Sequence, residues 1–213
     1  MNILVVAATD FELSPLRSKV STSSLTHNIR FHTTGVGIME STYQIAKLLD
    51  LHSPDLALQI GIAGTFDSQL RNGSVVWIES DTVADQGVWE NNAFKSLADL
   101  NLFAANQTPY VNGLLPNPIQ LPFLNTLQKG PAITVNQIST DPKYIQTWNQ
   151  LYRPIVESME GAPFHFACLK KGIPFLQLRA VSNQVGDRNK ANWDFKSSLE
   201  NLSSVSYKFI ESL

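Results

Sequence analysis

Two carboxylates stand where this chain could do chemistry. Glu12 closes Thr9-Asp10-Phe11-Glu12, directly after an apolar run, and Glu160 lies in Glu157-Ser158-Met159-Glu160-Gly161-Ala162, where helical periodicity begins. Carboxylates at such places serve in general acid–base work. A glutamate at a helix N-terminus is also favoured simply by the helix dipole. On pattern alone, catalysis and capping both remain open for each.

Other candidate motifs carry less. Gly35-Val36-Gly37 invites a dinucleotide reading, but the sixth position of that pattern is Glu40 rather than glycine, so the fingerprint fails. A Gly-x-x-x-x-Gly-Lys phosphate loop is absent. The histidines His27, His32, His52 and His165 show no metal-ligand spacing and read as surface or satisfied core residues. Cys168 falls mid-helix on an apolar background, the setting of a small core residue. A lone cysteine also excludes an internal disulfide and an all-cysteine metal site. No metal and no cofactor are expected.

The elements that must position these residues alternate in type. Ile3–Ala8 is a continuous β-branched run, the pattern of a strand buried on both faces. Ser14-Pro15 suggests a helix start with proline in the first turn. Further strands are expected over 29–34, 56–61, 74–79, 132–138 and 175–181. Helices are expected through Tyr43–Leu49, over 141–151 and over 159–171, with Pro163 in the first turn. From Trp193 the apolar residues Phe195, Leu199, Leu202, Val205 and Phe209 recur every three or four positions, an amphipathic C-terminal helix. Strands alternating with helices predict an α/β fold, a three-layer α/β/α sandwich around a twisted, largely parallel mixed sheet. Function then collects in loops beyond strand ends, here 9–12, 61–64, 157–161 and 182–188. From Leu100 to Gln128 no charged residue occurs across 29 positions. Such a stretch is either a long loop packed on its own domain or a subunit contact or flap.

Composition removes whole classes. Among 213 residues, 16 are Lys or Arg and 18 Asp or Glu, and 43% are hydrophobic. That balance is globular, and it lacks the basic stripe of a nucleic-acid binder. Ile3–Ala8 is too short to span a bilayer and lacks the flanks of a secretory signal. The expectation is one domain over 1–213, in the cytoplasm, without nucleic-acid or membrane partners.

Met159-Glu160-Gly161-Ala162, then Cys168, Ile173-Pro174-Phe175 and Arg179-Ala180-Val181-Ser182-Asn183, resembles the C-terminal half of the purine nucleosidase and phosphorylase superfamily. The Ile3–Glu12 segment and Gly61-Ile62-Ala63-Gly64 match it in order and spacing; the uncharged stretch fits least well. Within it, Thr134-Val135-Asn136, Ser182-Asn183 and Arg188-Asn189-x-x-Asn192-Trp193 are most similar to the futalosine hydrolase branch, which serves an alternative menaquinone pathway.

The resemblance implies cleavage of a purine nucleoside's N-glycosidic bond through an oxocarbenium-like transition state. It puts Glu12 on a water-activating general base and Glu160 on the group that holds the ribose 2′-hydroxyl, with Met159 beside the sugar. Ala63, Gly64, Ser158 and Ser182 are placed around the substrate, and Ile138 over the base. Adenine-specific relatives put an Asp where this chain has Asn183. An amide cannot act as a general acid, but its NH₂ can donate to N7 or O6. A 6-oxopurine offers both acceptors on one edge, so Asn183 favours hypoxanthine; an impaired adenine nucleosidase is the alternative. Phosphorylases of the superfamily clamp phosphate with arginines near the first strand. Residues 7–13 hold none and 61–66 are uncharged before Asp67, so water is the expected nucleophile. The branch's substrate carries a benzoate on its 5′ side. Trp193 falls where relatives line that pocket, and Arg188 is a candidate partner for the carboxylate or an exposed loop arginine. The relatives' dimers imply a homo-oligomer, with 100–118 as candidate interface. The other readings are a methylthioadenosine/S-adenosylhomocysteine nucleosidase, a phosphorylase, and a non-catalytic nucleoside-binding relative.

Overall fold

The computed structural model describes all 213 residues. In chain order the elements are β1 (Asn2–Ala7), α1 (Asp10–Ser21), β2 (Asn28–Thr33), α2 (Ile38–His52), β3 (Leu56–Thr65), β4 (Val75–Asp81), β5 (Gly87–Glu90), β6 (Ala93–Ser96), β7 (Leu115–Pro116), β8 (Gln128–Thr134), α3 (Pro142–Tyr152), β9 (Val156–Ser158), α4 (Gly161–Lys171), β10 (Phe175–Gln184) and α5 (Phe195–Glu211).

β1 lies between β2 and β3, parallel to both, and β3 runs on parallel to β10. β10 turns antiparallel to β4, β4 is parallel to β8, β8 to β9, and β9 returns antiparallel to the end of β3. The sheet is therefore mixed, and its second half closes on itself through the ten-residue β3. Leu13 and Leu16 of α1 and Leu202, Phe209 and Ile210 of α5 fill one face with Val5, Leu58 and Leu178. Ile45 and Leu49 of α2 and Phe164 and Cys168 of α4 fill the other with Leu4, Val6 and Phe175. These are the three expected layers. The alternation of neighbours along β1, with Val5 inward to one helix pair and Val6 to the other, is the reason a continuous apolar run was required.

Several boundaries differ from expectation for local reasons. Gly61-Ile62-Ala63-Gly64 is not a loop but the body of β3, paired with β10 through Gly64. Ser182 and Asn183 likewise lie on β10, at a bulge between Val181 and Asn183. α1 starts at Asp10, because Glu12 bonds the backbone N–H of Thr9, so Pro15 sits inside the helix rather than in its first turn. β8 ends at Thr134 and not at 138, since Asn136 and Gln137 turn away to bond Asp85. The β5–β6 hairpin was not foreseen; Trp89 and Phe94 from it pack around Trp148 of α3. The uncharged stretch divides. Its second half, with buried Leu115 and Leu124 and with Phe123 against Phe209, joins this chain's own core. Its first half leaves Leu102 and Val111 exposed.

Candidate active site

One cavity of about 410 Å³ opens at the end of β1 and β3. All eleven residues singled out in the sequence line it: Glu12, Ala63, Gly64, Ile138, Ser158, Met159, Glu160, Ser182, Asn183, Arg188 and Trp193. They come from α1, β3, the loop after β8, β9, α4's cap, β10 and the loop before α5, so only the closed sheet brings them together.

Glu12 is in the first turn of α1 and buried. Its Oε2 accepts from the Thr9 N–H at 3.1 Å and the Thr9 hydroxyl at 2.9 Å, and its Oε1 from the Ile62 N–H at 3.1 Å. The carboxylate is thus held from two elements with acceptor capacity left on Oε1. Beside it, Gly61 is a forced choice. A Cβ there would lie 2.3 Å from Arg179 Nη1 and 3.0 Å from Glu12 Oε1. Guanidinium and carboxylate therefore converge on the bare backbone of residue 61.

Glu160 is the cap residue of α4, yet its side chain makes no cap bond to its own helix. Its Oε1 accepts from the Gly37 N–H at 2.9 Å, and its backbone carbonyl accepts from Gln59 Nε2 at 3.0 Å. Burial raises its pKa, the nearby guanidinium of Arg179 opposes that rise, and the carboxylate of Glu12 adds to it. Glu157, two-strand partner of Gly64 and also in the cavity wall, is raised by burial too; its Oε1 accepts from the Ser139 N–H at 3.0 Å.

At another wall the Ser182 hydroxyl donates to Asn183 Oδ1 at 2.8 Å. The carbonyl of Gln184, which can only accept, fixes which end of the amide is which. The NH₂ keeps one proton on the carbonyl of Gln184 at 2.8 Å and has one to spare. Gly64 lies alongside, where a Cβ would come within 3.4 Å of Asn183 Nδ2.

A third wall is aromatic. Trp193 and Phe195 have ring centroids 5.4 Å apart, and Phe195 meets Phe11 edge-on at 6.1 Å. The Arg188 guanidinium lies 5.4 Å from the Trp193 ring centroid. The Trp193 Nε1–H donates to the Asp187 carbonyl at 3.0 Å, which ties the loop to the ring.

Motif and spacing assign no site role to Arg179, Glu157, Phe11 or Phe195, which the fold brings to the site. Arg179 is 1% exposed. Amides hold it: Nη2 donates to Gln59 Oε1 at 3.1 Å, and with the Gln177 amide turned to satisfy both neighbours, Gln177 accepts from Nε at 2.9 Å and donates to His165 Nε2 at 2.7 Å. His165 is kept neutral by burial, its pKa lowered to about 4, and its Nδ1–H donates to the Leu115 carbonyl at 2.9 Å. A single arginine within the otherwise buried strand 175–181 was the available signal. Cys168 is buried, which pushes its thiol well above the usual range. His32 and His52 stack on each other at 4.9 Å, away from the cavity.

The sequence profile of the phosphorylase superfamily matches residues 3–213, and the chain belongs to that superfamily. A Thermus thermophilus protein named futalosine hydrolase is 30% identical over 172 residues, which cover 79% of this chain and 75% of that protein. A Tolumonas auensis protein named 5′-methylthioadenosine/S-adenosylhomocysteine nucleosidase is 25% identical over 227 residues, 91% of each. Among solved structures, a Helicobacter pylori 5′-methylthioadenosine nucleosidase variant with 5′-methylthioadenosine in its active site superposes with a TM-score of 0.82 at 14% identity, over 100% of this chain and 99% of that one. That likeness carries the fold. No helix is long and apolar enough to cross a membrane.

Proposed function

We propose that this protein hydrolyses the N-glycosidic bond of futalosine, releasing hypoxanthine and leaving dehypoxanthinyl futalosine for menaquinone biosynthesis. The observation that carries the reading is Asn183, whose NH₂ is fixed by one bond to the Gln184 carbonyl and keeps a second proton to offer to a base. An NH₂ suits the N7 and O6 acceptors of a 6-oxopurine and offers no acid for adenine. Similarity to a protein named futalosine hydrolase supports the same choice.

The chemistry follows from the walls. Glu12 takes a proton from water as its oxygen bonds C1′ and the bond to the purine breaks, the electron pair leaving with the base, which takes up a proton from solvent as Glu12 gives its own back. Asn183 stabilises the negative charge that gathers there, while Glu160 holds the 2′-hydroxyl and places an anion beside the sugar cation. Met159 and Ser158 pack at the sugar, Ala63, Gly64 and Ile138 at the base. Trp193, Phe195 and Phe11 receive the 5′ arene, with Arg188 for its carboxylate. Water is the nucleophile because a phosphate dianion would meet both Glu12 and Glu160, and the one buried cation, Arg179, is already engaged by Gln59 and Gln177. No cofactor is needed for this step. The working unit is one domain over 1–213, cytoplasmic and homo-oligomeric, with the exposed apolar residues of 100–118 at the subunit contact.

A second reading, hydrolysis of methylthioadenosine, is favoured by the aromatic wall, which suits an apolar 5′ group without a carboxylate. Incubation with futalosine, inosine and methylthioadenosine, with and without phosphate, decides between them. Hypoxanthine from futalosine without phosphate is expected. Adenine from methylthioadenosine supports the second reading, and release that requires phosphate overturns hydrolysis.

A further inference from the structure

Glu160 occupies the cap position of α4 but leaves its helix alone. A cap side chain ordinarily bonds the N–H of the second or third helical residue. The third residue here is Pro163, which has no N–H. The second is Ala162, and its N–H donates to Thr134 Oγ1 of β8 at 2.7 Å. Thr134 in turn donates its hydroxyl to Asp81 Oδ1 at 2.9 Å, and Asp81 also accepts the Thr82 N–H at 2.8 Å. The threonine cannot drift: its own N–H donates to the Thr82 carbonyl at 2.8 Å and its carbonyl accepts from Ala84 at 2.9 Å. Asp81 is fully buried beneath the first turn of α4. Residue 161 must then be glycine, since a Cβ there would lie 2.0 Å from Asp81 Oδ2.

We propose that Thr134, oriented by Asp81, is a positioning residue that caps α4 from the neighbouring strand and so frees the Glu160 carboxylate for the cavity. The physics is a competition for one donor. Were Ala162 N–H left bare, a buried donor would go unpaired at a cost to the fold, and Glu160 is the acceptor best placed by chain connectivity to satisfy it. Thr134 removes that demand. The carboxylate then turns to the Gly37 N–H and to the sugar. Asp81 makes the arrangement one-way: a hydroxyl that gives its proton to a carboxylate presents only lone pairs to Ala162. The proposal deepens the reading above, because it rests on Glu160 meeting the ribose.

The test compares Thr134→Val, which keeps the shape but removes the hydroxyl, with Thr134→Ser, which restores it. Turnover is measured on the nucleosides named above, and the valine variant's crystal structure locates Glu160. Expected are a fall of roughly 100-fold in kcat for the valine variant, as for other small misplacements of a reacting group, recovery to within a few-fold in the serine variant, and a Glu160 carboxylate swung from Gly37 to Ala162. Wild-type turnover in the valine variant overturns the proposal. So does a loss of turnover with Glu160 still on Gly37, or a serine variant as impaired as the valine one. Should the valine variant not fold, Thr134→Ala takes its place with the same outcomes. If the wild-type protein cleaves none of the nucleosides, the functional reading falls, and the position of Glu160 in the variant still decides the capping role.

Discussion

The backbone N–H of Gly37 donates to Oε1 of Glu160 at 2.9 Å, joining residues 123 positions apart. Gly37 has φ +87°, a backbone that glycine adopts without penalty, and it is the cap residue of α2. The carboxylate therefore lies at the N-terminus of a 15-residue helix, where an anion is favoured. The Gly-Val-Gly segment, which fails as a nucleotide fingerprint, serves instead as a clamp for one of the site carboxylates.

Glu12→Gln should abolish most hydrolysis while the protein stays folded. The amide keeps the size but cannot accept a proton, and its single oxygen can keep the bonds to Thr9 or the bond to Ile62, not both. A loss of about 10²–10⁴-fold in kcat is expected, followed by chromatography of the free base, with thermal melting within a few degrees of wild type. Near wild-type turnover would remove Glu12 from the general-base role.

Asn183→Asp should lower futalosine hydrolysis and admit adenine nucleosides. An ionised carboxylate repels charge moving onto the base, and a protonated one offers N7 an acid. Competition between futalosine and methylthioadenosine gives the ratio of their kcat/KM values. An unchanged ratio would show that Asn183 does not read the base.

Arg188→Ala should raise the KM for futalosine about tenfold, the loss of one solvent-exposed charge-assisted contact worth roughly 1.4 kcal/mol. Inosine, which lacks the benzoate, should be cleaved as before. An unchanged KM for futalosine would leave Arg188 as a loop residue resting on Trp193.

Asp81 should make the protein more stable in mild acid than in mild base. Burial raises its pKa to about 7, from an ordinary value of about 4. The native state thus holds this proton to higher pH than the unfolded chain. Between those two values the unfolded chain binds fewer protons, so stability falls as pH rises through the window. Glu157 and Glu160, both raised by burial, act in the same direction. His165, its pKa lowered to about 4 by burial, acts in the opposite direction over part of the same range. Urea midpoints at pH 5 and pH 8 in wild type and in Asp81→Asn therefore isolate the Asp81 share, and the excess of stability at pH 5 over pH 8 should be smaller in the variant. The same difference in both proteins would show that Asp81 ionises as freely folded as unfolded.

How much was legible beforehand depends on the range of the interaction. Burial periodicity is local, so Ile3–Ala7, the core of α4 and the C-terminal helix were readable from spacing alone. The eleven lining residues were reached by residue type, strand-end logic and motif resemblance, which need no coordinates. The hairpin at residues 87–96 was not readable, because its stability comes from Trp148 on a helix fifty residues away. Gly61–Gly64 looked like a loop because glycine weakens strands. The strand tolerates it because Arg179 and Val185 fill the space where side chains would stand.

The chain's own sequence, then, determined the layers and the inventory of the site: apolar repeats specify which faces are buried, and residue chemistry limits what Glu12, Glu160 and Asn183 can do. Tertiary structure alone decided how those groups are aimed. Arg179 became a buried cation only when β3 and β10 paired, bringing Gln59 to its guanidinium. Glu160 was released from its helix only when Thr134 arrived from β8. A hydrogen bond is decided within tenths of an ångström between groups far apart in the chain. Such closeness is a property of the closed sheet and is not written in the spacing of residues along it.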